Sequence, residues 1–278
     1  MFRPGLAINT ATTRRQWSLL EAIDAYARLG VAAIAPWRDQ LHAEGLQRVA
    51  TALRASGLPV SGLCRGGMFP SATAAGRRDA IDDNRRAIEE AAVIGAPVLV
   101  LVCGGLPDGS KDIAGARAMV ADGIAAILPE ATSAGVRLAI EPLHPMYAAD
   151  RNCINTLDQA LDLCGALDPG GDAGLGVIFD VYHVWWDPRV LPATARAAGR
   201  ILGFHISDWT LPIRDTLNDR GMIGDGVIDI PGLARAVLAA GYEGYAEVEI
   251  FSDRWWSVEP RTVVATAQDR WNLILASV

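Results

Sequence analysis

Lysine is almost missing from this chain: Lys111 is the only one among 278 residues. It falls in a loop well past the fourth predicted strand. That argues against Schiff-base chemistry, which needs an amine held inside a site. Cysteine is scarce too. Cys64, Cys103, Cys153 and Cys164 stand far apart and form no CxxC pair. With no export signal they read as free thiols in a reducing cytoplasm. The opening Met1-Phe2-Arg3-Pro4-Gly5 has no long apolar core, so no signal peptide is expected. No apolar run approaches the length of a membrane span. Positive charge is also short: 25 Lys+Arg against 32 Asp+Glu give a net charge of −7. That mean charge repels a polyanion such as DNA. The expectation is a cytoplasmic protein with no nucleic-acid and no membrane partner.

What is present is apolar and alternating. Hydrophobic residues make up 51% of the chain, enough for a large core. Short strands are predicted at Leu6–Ile8, Val31–Ala35, Pro59–Leu63, Pro97–Val102, Val136–Glu141, Leu175–Val181, Ile201–Ile206 and Gly244–Ile250. Helices are predicted between them: Trp17–Leu29, Leu41–Ala55, Arg77–Ile94, Ile113–Ser133, one capped by Asn155 or Thr156 and ending near Leu167, Leu191–Ala198, and one starting at Pro231. A last helix covers Arg261 to Ala276. Glycines close most of them. Strand–helix units repeated eight times without a linker imply an α/β fold, a single (β/α)8 TIM barrel over residues 1–278, read as one domain.

Four apolar strands deliver a metal-type ligand at or near their C-terminal ends. Leu138-Ala139-Ile140 runs into Glu141, with Pro142 and His144 behind it. Val177-Ile178-Phe179 runs into Asp180, with His183 three residues on. Ile201 to Phe204 runs into His205, and Tyr245 to Val248 into Glu249. These are strands five to eight, neighbours in a barrel, so the four side chains can converge on one half of its catalytic face. Any one strand-end carboxylate could be a cap or half of a salt bridge. Four on consecutive strands favour a shared site. Three carboxylates and one imidazole suit Mn²⁺, Mg²⁺, Co²⁺ or Zn²⁺.

The motifs LAIEPLH, FDVYH, FHISD and GYEGYAEVEIF resemble the xylose-isomerase-like TIM-barrel superfamily, which holds sugar and sugar-phosphate isomerases and epimerases and the endonuclease IV type of AP endonuclease. The resemblance is best over strands four to eight. It implies one Mn²⁺-type ion held by Glu141, Asp180, His205 and Glu249, and a substrate contact from His183. It also implies a contact from an arginine after strand seven, a part that Arg220 or Arg214 could take. The nuclease branch needs three zinc ions and more histidines than His42, His144, His183 and His205. Cys64 and Cys103 stand at the strand ends where zinc histidines belong, and Asn218-Asp219-Arg220-Gly221 has glycine in place of that branch's histidine.

The chemistry expected is proton transfer through a metal-stabilised enediolate, with Glu141 and Glu249 sharing ligand and acid–base roles. The substrate would be a small-molecule sugar or sugar phosphate. A metal-dependent lyase or dehydratase acting on a keto-sugar or 3-keto-glycoside is the alternative, and an endonuclease IV-like hydrolase a weaker one. Glu247 points the same way as Glu249 and reads as a deeper core carboxylate paired with an arginine. His144 reads equally as a substrate contact or a solvated loop residue. Trp186 and five other tryptophans past strand ends (Trp37, Trp185, Trp209, Trp255, Trp256) could stack on a sugar or pack loops and a homo-oligomer interface. Met222 to Gly226 could present amides to a phosphate, although a tight turn is the reading favoured.

Overall fold

A computed structural model describes residues 1–3 and 5–278. Eight parallel strands form one sheet: β1 Leu6–Asn9, β2 Ala33–Ala35, β3 Leu63–Gly67, β4 Val98–Val102, β5 Arg137–Ile140, β6 Leu175–Asp180, β7 Ile201–Ile206 and, after a small hairpin, β10 Ala246–Val248. The hairpin pairs β8 Asp208–Trp209 with β9 Arg220–Gly221, antiparallel, inside the loop after β7. The sheet order is β2-β1-β10-β7-β6-β5-β4-β3. Two isolated parallel bridges, Ile34 to Val60 and Trp37 to Cys64, bring its two edges together. The TIM barrel expected from the alternation is therefore formed, with helices outside it.

Local chemistry explains most boundaries. Ser18 and Glu21 make a capping box, which starts the first helix at Leu19. Thr73, Asp112 and Thr156 each cap a following helix by accepting a main-chain N–H. Thr156, not Asn155, is the cap of the helix Leu157–Leu167. The predicted second helix is two helices, Arg38–Glu44 and Leu46–Ser56, broken at Gly45, whose φ of 87° no other residue adopts readily. All five residues of Val98-Leu99-Val100-Leu101-Val102 are buried or nearly so, as both faces of this strand are covered. Each such side chain taken fully from water contributes about 1.5–3 kcal/mol before entropy is subtracted.

The third strand differs from its prediction. Pro59 to Ser61 only bridges to β2, and the regular strand runs on to Gly67, into the stretch Arg65 to Pro70 that reads from the sequence as a glycine-rich loop. Those glycines permit close approach. A Cβ on Gly66 would meet Asn84 Oδ1 and Leu101, and one on Gly67 would overlap the carbonyl of Val102. Asn84 then fastens the strand end, accepting from Gly67 N (2.6 Å) and donating to Gly67 O (2.8 Å). All four cysteines are free and buried. Among the described residues no helix is long and apolar enough to cross a membrane.

Candidate functional site

The register of the sheet assembles the site. Asp180 on β6 and Glu247 on β10 both lie beside His205 on β7. Glu249 stands two residues beyond Glu247 and so faces the same side. Glu141 follows β5, its main-chain N–H donating to Leu101 O (3.1 Å) and its carbonyl accepting from Asn152 Nδ2 (2.6 Å). Glu141, Asp180, His205 and Glu249 are all buried, and each offers a ligand atom within 4.8 Å of the others. The convergence expected from four separate strand ends is thus met in the geometry.

The imidazole of His205 has two distinct sides. Nδ1 lies 3.1 Å from Glu141 Oε1 and 4.0 Å from Glu249 Oε2, toward the mouth. Nε2 lies 3.4 Å from Glu247 Oε1, toward the barrel floor. Glu247 is itself fixed by Asn9 Nδ2 (3.0 Å) and Ser61 Oγ (2.7 Å), and Asn9 Oδ1 accepts from Trp37 Nε1 (2.7 Å). The arginine expected beside Glu247 is not its partner: the strand register puts an imidazole there instead. Both ring nitrogens thus face carboxylates; with an ion bound at Nδ1, Glu247 would hold Nε2–H, the pattern by which a carboxylate behind a histidine sets its tautomer.

Arg220 roofs the cluster. Its Nη1 lies 3.2 Å from both Asp180 Oδ2 and Glu249 Oε2, and its guanidinium lies over the Tyr182 ring at 4.5 Å. Arg214, the other candidate, turns away and pairs with Asp219 at 2.9 Å. His183 is buried, and its Nδ1 accepts the main-chain N–H of His144 (3.2 Å). Its Nε2 faces the donor Arg220 Nη2 at 3.0 Å, with Asp180 Oδ2 at 3.6 Å. Burial, reinforced by the Arg220 charge, holds the His183 pKa well below its usual value, so the ring is neutral.

Above these groups lies a cavity of about 490 Å³, lined by Glu141, His183, Arg220 and Glu249 and rimmed by Trp37, Arg65, Tyr147, Arg151 and Phe251. Trp186 and His144 do not line it. Trp186 donates from Nε1 to His183 O (2.8 Å), and His144 packs edge-on against Trp186 with ring centroids 5.6 Å apart. Of the six tryptophans past strand ends, Trp37 lines the cavity. Trp209 stacks among Tyr182, Trp185 and His144, and Trp255 and Trp256 donate to Asp225 and Ala11 O. The Gly224 and Gly226 amides are not free for a phosphate either: both donate to Asp208 Oδ2, at 3.0 and 2.9 Å.

The electrostatics fit a cation. Burial pushes the Glu249 carboxyl up to about 8 although Arg220 opposes it, and pushes Asp180 up to about 6 against the same arginine. Burial disfavours a charged His205, but Glu247, Glu141 and Glu249 outweigh it and raise the ring to about 10. The cluster holds more negative charge than Arg220 can neutralise, and takes up protons instead. Three carboxylates and an imidazole at mutual distances within 4.8 Å are a donor set that could hold one divalent ion in their place.

Asn9, Ser61, Asp208, Arg65 and Arg151 were not visible as site residues from the sequence. The signal for Asn9 was present, since it ends its strand on a polar residue as Asp180 does.

The protein SMc04130 from Sinorhizobium meliloti 1021 superposes with a TM-score of 0.94 at 56% identity, covering 98% of each chain. The 3-dehydroshikimate dehydratase of Pseudomonas aeruginosa is 32% identical over 163 residues, 56% of this chain and 24% of that protein. The inosose isomerase of Bacillus velezensis is 27% identical over 146 residues, 51% of this chain and 49% of that protein. The matches thus span less than half of either curated relative. Residues 23–272 match the sequence model of the xylose isomerase-like TIM barrel. Taken with the barrel and the ligand-bearing ends of its last four strands, this match makes the chain a member of the xylose isomerase-like TIM-barrel family.

Proposed function

We propose that the protein is a divalent-metal-dependent isomerase or epimerase of a sugar or sugar phosphate. The observation that carries this reading is the buried cluster of Glu141, Asp180, His205 and Glu249 at the floor of a sugar-sized cavity. A bound Mn²⁺, or Mg²⁺, Co²⁺ or Zn²⁺ in its place, would polarise a substrate carbonyl and acidify the neighbouring C–H. Glu141 and Glu249 come from β5 and β10, which β7 and β6 separate, so they approach a substrate carbon from different sides. One carboxylate removes the proton and the other returns it. Return to the same carbon epimerises; return to the adjacent carbon isomerises. His183 and Arg220 orient substrate oxygens, and Trp37, Tyr147 and Phe251 cover the apolar edge and exclude water.

A dehydratase is the second reading, favoured by the similarity to the Pseudomonas enzyme. It uses the same first step. The carbanion then expels a β-hydroxyl, and a protonated carboxyl supplies its proton.

The test is metal content of the purified protein, then NMR in D₂O with Mn²⁺ across ketoses and aldoses. About one ion per chain, with deuterium entering the carbon next to the carbonyl, supports the isomerase. Loss of water from a keto acid without exchange into a recovered sugar moves the case to the dehydratase. Absence of any metal binding overturns both.

A further inference from the structure

Arg65 and Arg151 stand apart from the other arginines around the site. Arg220 is bonded to Asp180 and Glu249, Arg14 pairs with Asp39, and Arg38 with Asp83 and Glu90. Arg65 and Arg151 line the same cavity as Glu141 and Glu249, yet among the described residues neither has a carboxylate oxygen within 4.0 Å. Arg65 projects from the glycine-lined end of β3 and is partly buried. Burial and the like charge of Arg151 both disfavour its cationic form. Arg151 is exposed on the loop after β5, lies 5.7 Å above the Tyr147 ring and feels Asp215 without pairing to it. Asp150 also lines the cavity but pairs with neither.

A guanidinium carries five donors in a planar fork that fits a carboxylate or phosphate. Two of them, like-charged and without a carboxylate partner in one cavity, favour an anion seated between them. We propose that the substrate carries an anionic substituent, a carboxylate or a phosphate, seated by Arg65 and Arg151 while the reacting carbon lies over Glu141 and Glu249. This rests on the proton-transfer reading of the floor, and it narrows the substrate from neutral sugars to acidic or phosphorylated ones. Both anions match a guanidinium fork with two parallel N–H···O bonds.

The test is binding by calorimetry to the Mn²⁺-loaded protein, with matched pairs of probes: shikimate and methyl shikimate, glucuronate and glucose, fructose 6-phosphate and fructose. At least one acidic member should bind roughly 10- to 100-fold more tightly than its neutral partner, the range for hydrogen bonds to a charged group. The carboxylate and phosphate pairs decide which anion it is. Arg151→Met should erase that preference and Arg151→Lys retain part of it. Arg65→Met should act in the same direction, and because Arg151 is exposed its variant carries the test even if Arg65→Met fails to fold. No anion preference in any pair, including no binding at all, overturns the proposal, as does a preference that survives in Arg151→Met. Proton exchange on neutral ketoses with no anion preference removes the anion seat alone. Anion preference lost in the variants, with no proton exchange on any probe, removes the proton-transfer reading and keeps the seat.

Discussion

At His205 the ring nitrogen facing Glu141 and Glu249 would hold an ion once its proton is lost, with Glu247 steadying the other nitrogen. Glu247→Gln keeps the shape but weakens that hold. We expect Mn²⁺ affinity to fall by roughly 10- to 100-fold, the usual effect of removing a carboxylate behind a ligating histidine. Titration calorimetry checks this, and unchanged affinity would reduce Glu247 to a core filler. Glu249→Gln should lower turnover by about 10²–10⁴-fold, the span of general acid–base contributions, with the circular dichroism spectrum retained. Full activity in that variant would sink the acid–base role. The same residues set a pH dependence. Glu249 is raised from 4.5 to about 8, so between those values the unfolded chain has released a proton that the native metal-free protein keeps. Native stability therefore falls as pH climbs through that window. His205, raised from 6.5 to about 10, acts in the same direction at higher pH. A divalent ion bound in the cluster would expel these protons, so its binding should strengthen as pH rises. The melting temperature of chelator-treated protein should drop from about pH 5 to pH 9 while the gap to the Mn²⁺-saturated protein widens. A metal-free profile that is flat or rising would mean the cluster is not protonated as described.

The loop that carries Arg220 depends on one buried side chain. Asp208, 1% exposed, accepts main-chain N–H groups from Trp209, Gly224, Gly226 and Ile228 at 2.9, 3.0, 2.9 and 3.1 Å. It gathers the two ends of the loop and leaves β9 where Arg220 reaches Asp180. Asp208→Ala strands several buried donors and should cost about 3 kcal/mol of stability. KM should rise as Arg220 loses its place, and a variant with native KM would separate loop order from substrate binding. The FHISD motif was legible in the sequence, but the work of its aspartate was not. Four amides from up to 20 positions away meet at Asp208, and no spacing rule announces that. The β3 error has a similar origin. Arg65-Gly66-Gly67 reads as a loop by composition, and becomes a strand because Asn84 and β4 lie close enough to need residues without side chains. By contrast Ile113–Ser133 and Ile201–Ile206 match their predictions end to end, since caps and apolar runs decide them locally.

Across the whole molecule, the legible half of the site is the half in which each strand carries its own candidate ligand. Glu141, Asp180, His205 and Glu249 are announced one at a time, and closing the barrel only brings them together. The parts contributed by the first three strands (Asn9, Trp37, Ser61 and Arg65) have meaning only after closure, when Asn9 and Ser61 reach Glu247 across more than 180 positions of sequence. That closure is uneven. The pairing of β6 with β7 spans Val177 to Asp180, whereas β2 and the segment before β3 are joined by Ile34 N to Pro59 O, Ser61 N to Ile34 O and Cys64 N to Pro36 O. A ladder this thin opens at lower cost than its neighbours, so local breathing is expected there first. Backbone amides of Ile34, Ser61 and Cys64 should exchange with solvent well before those of β5 to β7, as mass spectrometry of peptic fragments would reveal. Trp37 and Arg65 flank this seam, so a ligand seated between them would clasp the barrel shut, and protection of those amides would rise on binding even though they lie outside the cluster that does the chemistry.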